Sequence, residues 1–116
     1  MVISYAASYS TTSTVPIASR APTIDKTNGS LLLTFARGTR GEIDCFVMSE
    51  SLFTIDWFLD GWPIRDQLFE REYQLLNDGQ TLVLPNADIR HAGNYMCLVT
   101  NDAGIARLQA IVEVTR

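Results

Sequence analysis

Three patterns predict an all-β chain folded as a sandwich. Apolar residues recur at every second position in short runs, most plainly at Ala106, Leu108, Ala110, Val112 and Val114, the period at which strand side chains share a face. Turn chemistry punctuates these runs at Asp60-Gly61, Asn77-Asp78-Gly79 and Asn101-Asp102-Ala103-Gly104, as closely spaced antiparallel strands require. No long window carries a helical period. A length of 116 residues suits one such sandwich, and 47% hydrophobic residues supply its core.

Residues 1–19 read as a flexible Ser/Thr-rich linker, with Ser8-Tyr9-Ser10-Thr11-Thr12-Ser13-Thr14 before Val15-Pro16. The folded domain is expected over residues 20–116. Ala21-Pro22-Thr23-Ile24 forms a short edge strand, since proline cannot donate to a central ladder. Asn28-Gly29-Ser30 is both a turn signal and an N-x-S acceptor, which makes Asn28 a candidate glycosylation site. Leu31 to Phe35 continues the first strand. Glu42 to Val47 alternates, with Ile43, Cys45 and Val47 on one face, and Thr54 to Leu59 does so with Ile55, Trp57 and Leu59 inward. Trp62-Pro63-Ile64 begins a short return after Asp60-Gly61. Glu70 to Leu76 reads as a further strand, Leu82 and Leu84 face in on the next, and Tyr95, Cys97 and Val99 share an inward face after a tight corner.

Composition excludes several function classes. A net charge of −4, with nine scattered Lys and Arg, is unsuited to nucleic acid, whose phosphates demand clustered cations. No apolar run approaches a spanning helix, so this segment is not expected to insert into a membrane. The first residues make a poor signal peptide, and the chain is expected to be one domain of a larger protein. Two cysteines are compatible with a disulfide, buried thiols or part of a metal site. With one histidine in the chain, Cys and His alone cannot furnish four tetrahedral zinc ligands.

Cys45, Trp57, Leu82-x-Leu84 and Ala92-Gly93-x-Tyr95-x-Cys97 together resemble the pins of the immunoglobulin fold. Asn101-Asp102-Ala103-Gly104 and the alternating run to Val114 look like the last hairpin and strand of its I-set domains. The resemblance covers about residues 20 to 116. It implies a two-sheet antiparallel Greek-key immunoglobulin-like sandwich with a Cys45–Cys97 disulfide between the sheets, Trp57 packed beside it, and Leu82 and Tyr95 as further core pins. It also implies adhesion, receptor or matrix proteins, or giant muscle proteins, as the setting. Two departures stand out. The family's usual acid before Gly-x-Tyr-x-Cys is His91, which cannot pair with a basic partner such as Arg71. The corner is therefore expected to be held mainly by the Tyr95 hydroxyl and backbone hydrogen bonds, with His91 at the surface. The usual Gly- and Pro-bearing segment after the first Cys is replaced by Met48 to Phe53, which predicts a looser loop.

No catalytic constellation is expected. His91 has no second histidine or strained nucleophile turn to work with, and Cys97 belongs in the core. Asp56, Asp60, Asp66, Glu70 and Glu72 read as a solvated acidic rim without the D-x-D-x-D spacing of a calcium loop. No cofactor or metal is implied. Strand parity is more informative. If Trp57, Cys97 and Leu108 point inward, then Phe58, Met96, Leu98 and Ile111 point outward from one sheet, where polar residues are the rule. Trp62 is expected to extend this patch. It is the candidate interface, on the sheet that the resemblance labels C-F-G. The expected function is a non-catalytic protein–protein interaction module of a secreted or cell-surface protein, its partner heterophilic or homophilic. The alternative is a structural module of an intracellular muscle or cytoskeletal protein.

Overall fold

The computed structural model describes residues 20–25 and 30–116. The expected linker, 1–19, and the Asn28 acceptor lie outside these residues. Ten strands follow in chain order: β1 (Thr23–Ile24), β2 (Ser30–Ala36), β3 (Gly41–Asp44), β4 (Val47–Met48), β5 (Thr54–Leu59), β6 (Trp62–Pro63), β7 (Gln74–Leu76), β8 (Thr81–Leu84), β9 (Gly93–Asn101) and β10 (Gly104–Thr115). They form a five-stranded sheet in the order β2-β10-β9-β5-β6, a three-stranded sheet β3-β8-β7 and a β1-β4 pair. The chain crosses between the two main sheets from β3 to β5 and again from β8 to β9, as a Greek key does.

Local chemistry explains the turns. Asp60 and Gly61 take φ of 51° and 88°, the paired left-handed residues of a two-residue hairpin, and the ladder accordingly pairs Leu59 with Trp62 and Phe58 with Pro63. At the last hairpin, Asn101 Oδ1 accepts from the amides of Ala103 (2.8 Å) and Gly104 (3.0 Å), a side-chain turn that sets the β9–β10 register. Its Nδ2 donates to Arg20 O and Ser49 Oγ, which ties the hairpin to the N-terminal edge. Ser49 Oγ also donates to Ser51 O, and Ser51 Oγ donates to Asp102 Oδ1. The loop expected to be loose is thus hydrogen-bonded at Ser49 and Ser51.

Three expectations change. The first strand is two strands in different sheets, and β2 pairs with β10 in parallel. No hairpin joins β2 to β10, so nothing forces them to run in opposite directions. The expected strand over Glu70 to Leu76 holds only as β7. Glu70–Glu72 is instead a 3-10 turn, because the Glu72 carboxylate accepts from the Phe69 amide at 2.7 Å and curls the chain. The strand through Cys45 is interrupted between β3 and β4, where the Gln80 side chain substitutes for the backbone by accepting from the Val47 amide at 2.9 Å.

The core lies between the sheets. Ile43, Cys45, Leu82 and Leu84 from one side meet Trp57, Leu59, Tyr95, Cys97, Val99 and Leu108 from the other, all buried. Cys45 and Cys97 are joined by a disulfide with their Cα atoms 6.6 Å apart. Trp57 and Leu108 flank Cys97 in the same row of the five-stranded sheet, so the bridge is walled by a large and a medium apolar side chain. The Trp57 indole donates to Gly79 O at 2.7 Å, which satisfies its one polar atom across the sandwich.

Candidate functional site

Two regions concentrate unusual residues: the corner before β9 and the outer face of the five-stranded sheet. At the corner the Tyr95 hydroxyl donates to His91 O at 2.6 Å, locking the turn Ile89–His91 onto β9. Burial pushes the Tyr95 phenol well above its ordinary value, and the charges of Asp60 and Glu72 push it further in the same direction. The phenol therefore stays a donor through any physiological pH. Gly93 takes φ of 156°, and a Cβ there would lie 2.8 Å from Leu59 Cδ1 and 3.0 Å from the Asp60 carboxylate oxygens. Only glycine lets the chain enter β9 against that turn.

His91 is not at the surface but buried at 3% exposure. Its Nδ1 accepts from the Asp88 amide at 2.9 Å, which leaves Nε2 to carry the hydrogen and donate to Glu72 Oε1 at 3.0 Å. Arg90 donates to the same carboxylate oxygen. Arg71 is turned away, its guanidinium 5.6 Å above the Phe69 ring. The corner thus keeps a side-chain bridge but reverses its polarity, with the acid on the Glu70–Glu72 turn and the nitrogen donors before β9. Glu72 is accordingly not part of a solvated rim; its side chain is 9% exposed. Burial alone raises its carboxyl pKa, yet the Phe69 amide, the His91 ring and the Arg90 guanidinium outweigh it and hold the carboxyl below its ordinary value. A shallow cavity of about 360 Å³ opens beside Arg37, Arg71, Asp88 and Arg90. Its charges are largely paired internally, Arg37 with Asp88 and Arg90 with Glu72, so the corner is a structural clamp.

On the outer face the register brings apolar residues into one oblique stripe. Pro63, Phe58 and Met96 lie in one row across β6, β5 and β9. Ile111 and Leu32 lie in the next across β10 and β2, with Met96 and Ile111 diagonal neighbours. Phe58, Met96 and Leu98 are half-buried, while Ile111 and Leu32 are 43% and 66% exposed. Leu98 sits between Asp56 on β5 and Arg107 on β10. Trp62 does not join this face. Its partner Leu59 points into the core, so Trp62 has the opposite parity and projects beyond the edge at 69% exposure. Among the described residues, no group of three or more His, Cys, Asp or Glu could hold a metal ion.

A model of the immunoglobulin I-set domain matches residues 26–114. The chain belongs to the immunoglobulin I-set family. This I-set domain is similar to mouse Hemicentin-1, at 40% identity over 60 residues, which is 52% of this chain and 1% of that protein. It is also similar to Drosophila melanogaster Peroxidasin, at 34% identity over 64% of this chain and 5% of that protein. The chain therefore spans a small part of these relatives. Among solved structures, titin domain M7 superposes with a TM-score of 0.72 at 22% identity, covering 86% of this chain and 99% of that one. The four N-terminal domains of Dscam1 isoform 6.44 give 0.73 at 20% identity, covering 87% of this chain and 26% of that one. At these identities the structural likeness speaks to the fold.

Sequence reasoning about this I-set domain misses Leu32, Pro63, Arg107 and the bridging role of Glu72, and reads Asp56 as part of an acidic rim without its place beside Leu98. The two-residue Asp60-Gly61 turn carries a usable signal for Pro63 and against Trp62, because such a turn pairs the residues that flank it. Leu32 has no such local signal, since its parity depends on which distant strand β2 joins.

Proposed function

We propose that this I-set domain is a non-catalytic protein–protein interaction module of a larger secreted or cell-surface protein, acting in adhesion, receptor recognition or matrix assembly. The observation that carries this reading is the apolar stripe Phe58–Met96–Ile111–Leu32, flanked by Leu98, on a face that antiparallel sheets ordinarily give to polar residues. Its Met and aromatic content is the composition that interface centres favour. The likeness to hemicentin and peroxidasin supports the extracellular setting, as does the Cys45–Cys97 disulfide, since such bridges persist in oxidising compartments. In that setting Asn28 is a glycan acceptor, and domains on either side of the chain are its immediate neighbours.

The test is adhesion of protein-coated beads to a deposited extracellular matrix. Phe58→Asp and Leu98→Asp abolish adhesion and leave cooperative unfolding in place, whereas Leu75→Asp, on the exposed edge of the opposite sheet, leaves adhesion intact. Equal adhesion of all four proteins would overturn the reading. Counting free thiols in protein purified from its native source, under denaturing and non-reducing conditions, tests the compartment: none supports secretion, and two would favour the intracellular structural module.

A further inference from the structure

The outer face carries a charge order that specifies a partner. In the row through Leu98, Asp56 lies one strand to one side and Arg107 one strand to the other. With strands spaced by about 4.8 Å, the backbones of Asp56 and Arg107 stand roughly 10 Å apart on either side of Leu98. Both side chains are exposed, and among the described residues neither forms an ion pair. Acid, apolar centre and base make a row that is its own complement when turned over.

We propose that this face binds a second copy of the same chain, about a two-fold axis that runs along β9 between the facing sheets. This rests on the face being the contact surface. Rotation about such an axis exchanges left and right within each row while keeping its position along the strand. Asp56 of each copy then lies over Arg107 of the other, giving two symmetry-related ion pairs. Leu98 meets Leu98 on the axis, and Met96, two residues along the same face of β9, meets Met96. Phe58 covers Gln109 of the second copy, because the two flank Met96 in the next row. The alternative axis, across the strands, sets Asp56 on Asp56 and Arg107 on Arg107, and like charges in contact disfavour it. The charge order therefore selects one of the two face-to-face orientations, and Leu98 and Met96, each meeting its own copy on the axis, supply the apolar contact that the ion pairs alone cannot.

Sedimentation velocity of the full chain tests this. Wild type should shift from monomer to dimer between about 10 µM and about 1 mM, a range suited to a small, single-face contact. Asp56→Arg or Arg107→Asp alone places like charges together twice and should weaken the dimer by at least about tenfold. The double exchange Asp56→Arg/Arg107→Asp should restore it to within roughly threefold of wild type, since the pairs are re-formed in reverse. A wild type that stays monomeric throughout, or a double exchange no better than the single ones, overturns the proposal. Face-dependent bead adhesion by a monomeric wild type would leave the interaction reading standing and remove the self-pairing alone.

Discussion

The two sides of β9 differ in what they hold. Tyr95, Cys97 and Val99 point inward and are fully buried, with Tyr95 hydrogen-bonded to the His91 carbonyl and Cys97 bridged to Cys45. Met96 and Leu98 point outward from between them, only half-buried, with strand neighbours beside them. One strand thus presents a folding surface and a contact surface at alternate residues. Substitutions one position apart should separate into losses of stability and losses of association, and that contrast is what experiments can break.

The largest effect should come from removing the bridge. Cys45 and Cys97 are separated by 52 positions, and closing a loop of this length restricts the unfolded chain by about 4 kcal/mol. Cys45→Ala/Cys97→Ala should lower the urea-unfolding free energy by about that amount, whereas Leu98→Asp should stay within about 1 kcal/mol of wild type. A Leu98→Asp loss as large as the bridge's would show that the outer face is core.

Much of the inner side was legible in the sequence because its signals are local. A period of two places Tyr95, Cys97 and Val99 together, and the Cys-Trp-Tyr-x-Cys pattern identifies the sandwich that surrounds them. The outer side was legible for Phe58, Met96, Leu98 and Ile111 by the same parity. What lay beyond reading was set by non-local pairing or by turn conformation. Leu32 reaches the stripe because β2 joins β10 in parallel, which no hairpin dictates. Glu72 meets His91 because a carboxylate-to-amide bond at Phe69 makes a turn from residues with strand-like spacing. His91 looked like a surface substitution because its expected partner was a base, and the structure offers an acid.

The corner sharpens the contrast at intermediate size. Tyr95→Phe keeps the buried ring and deletes the hydroxyl that donates to His91 O. The carbonyl is left without that donor, so the variant should lose about 1–2 kcal/mol in urea unfolding with its fold unchanged. Dimer strength and bead adhesion should not move, because the hydroxyl faces away from Met96 and Leu98.

The smallest effect belongs to Glu72 and is seen only against pH. Its carboxyl titrates below the ordinary carboxylate range in the folded protein, because the Phe69 amide, His91 and Arg90 favour the ionised form more than burial opposes it. As pH falls, the unfolded chain takes up the Glu72 proton first, at the ordinary value near 4.3, while the folded chain still holds the group ionised. Folding stability from this group is therefore complete above that value and is lost as pH falls through the folded-state pKa. Glu72→Gln has no such proton to take up. Wild type should exceed the variant in stability at neutral pH, and the gap should narrow steadily below about pH 5. Urea midpoints measured across that range check it. A constant gap would mean that the Glu72 contribution is one of packing and hydrogen-bond shape rather than charge, and would place the reversed corner bridge among neutral contacts.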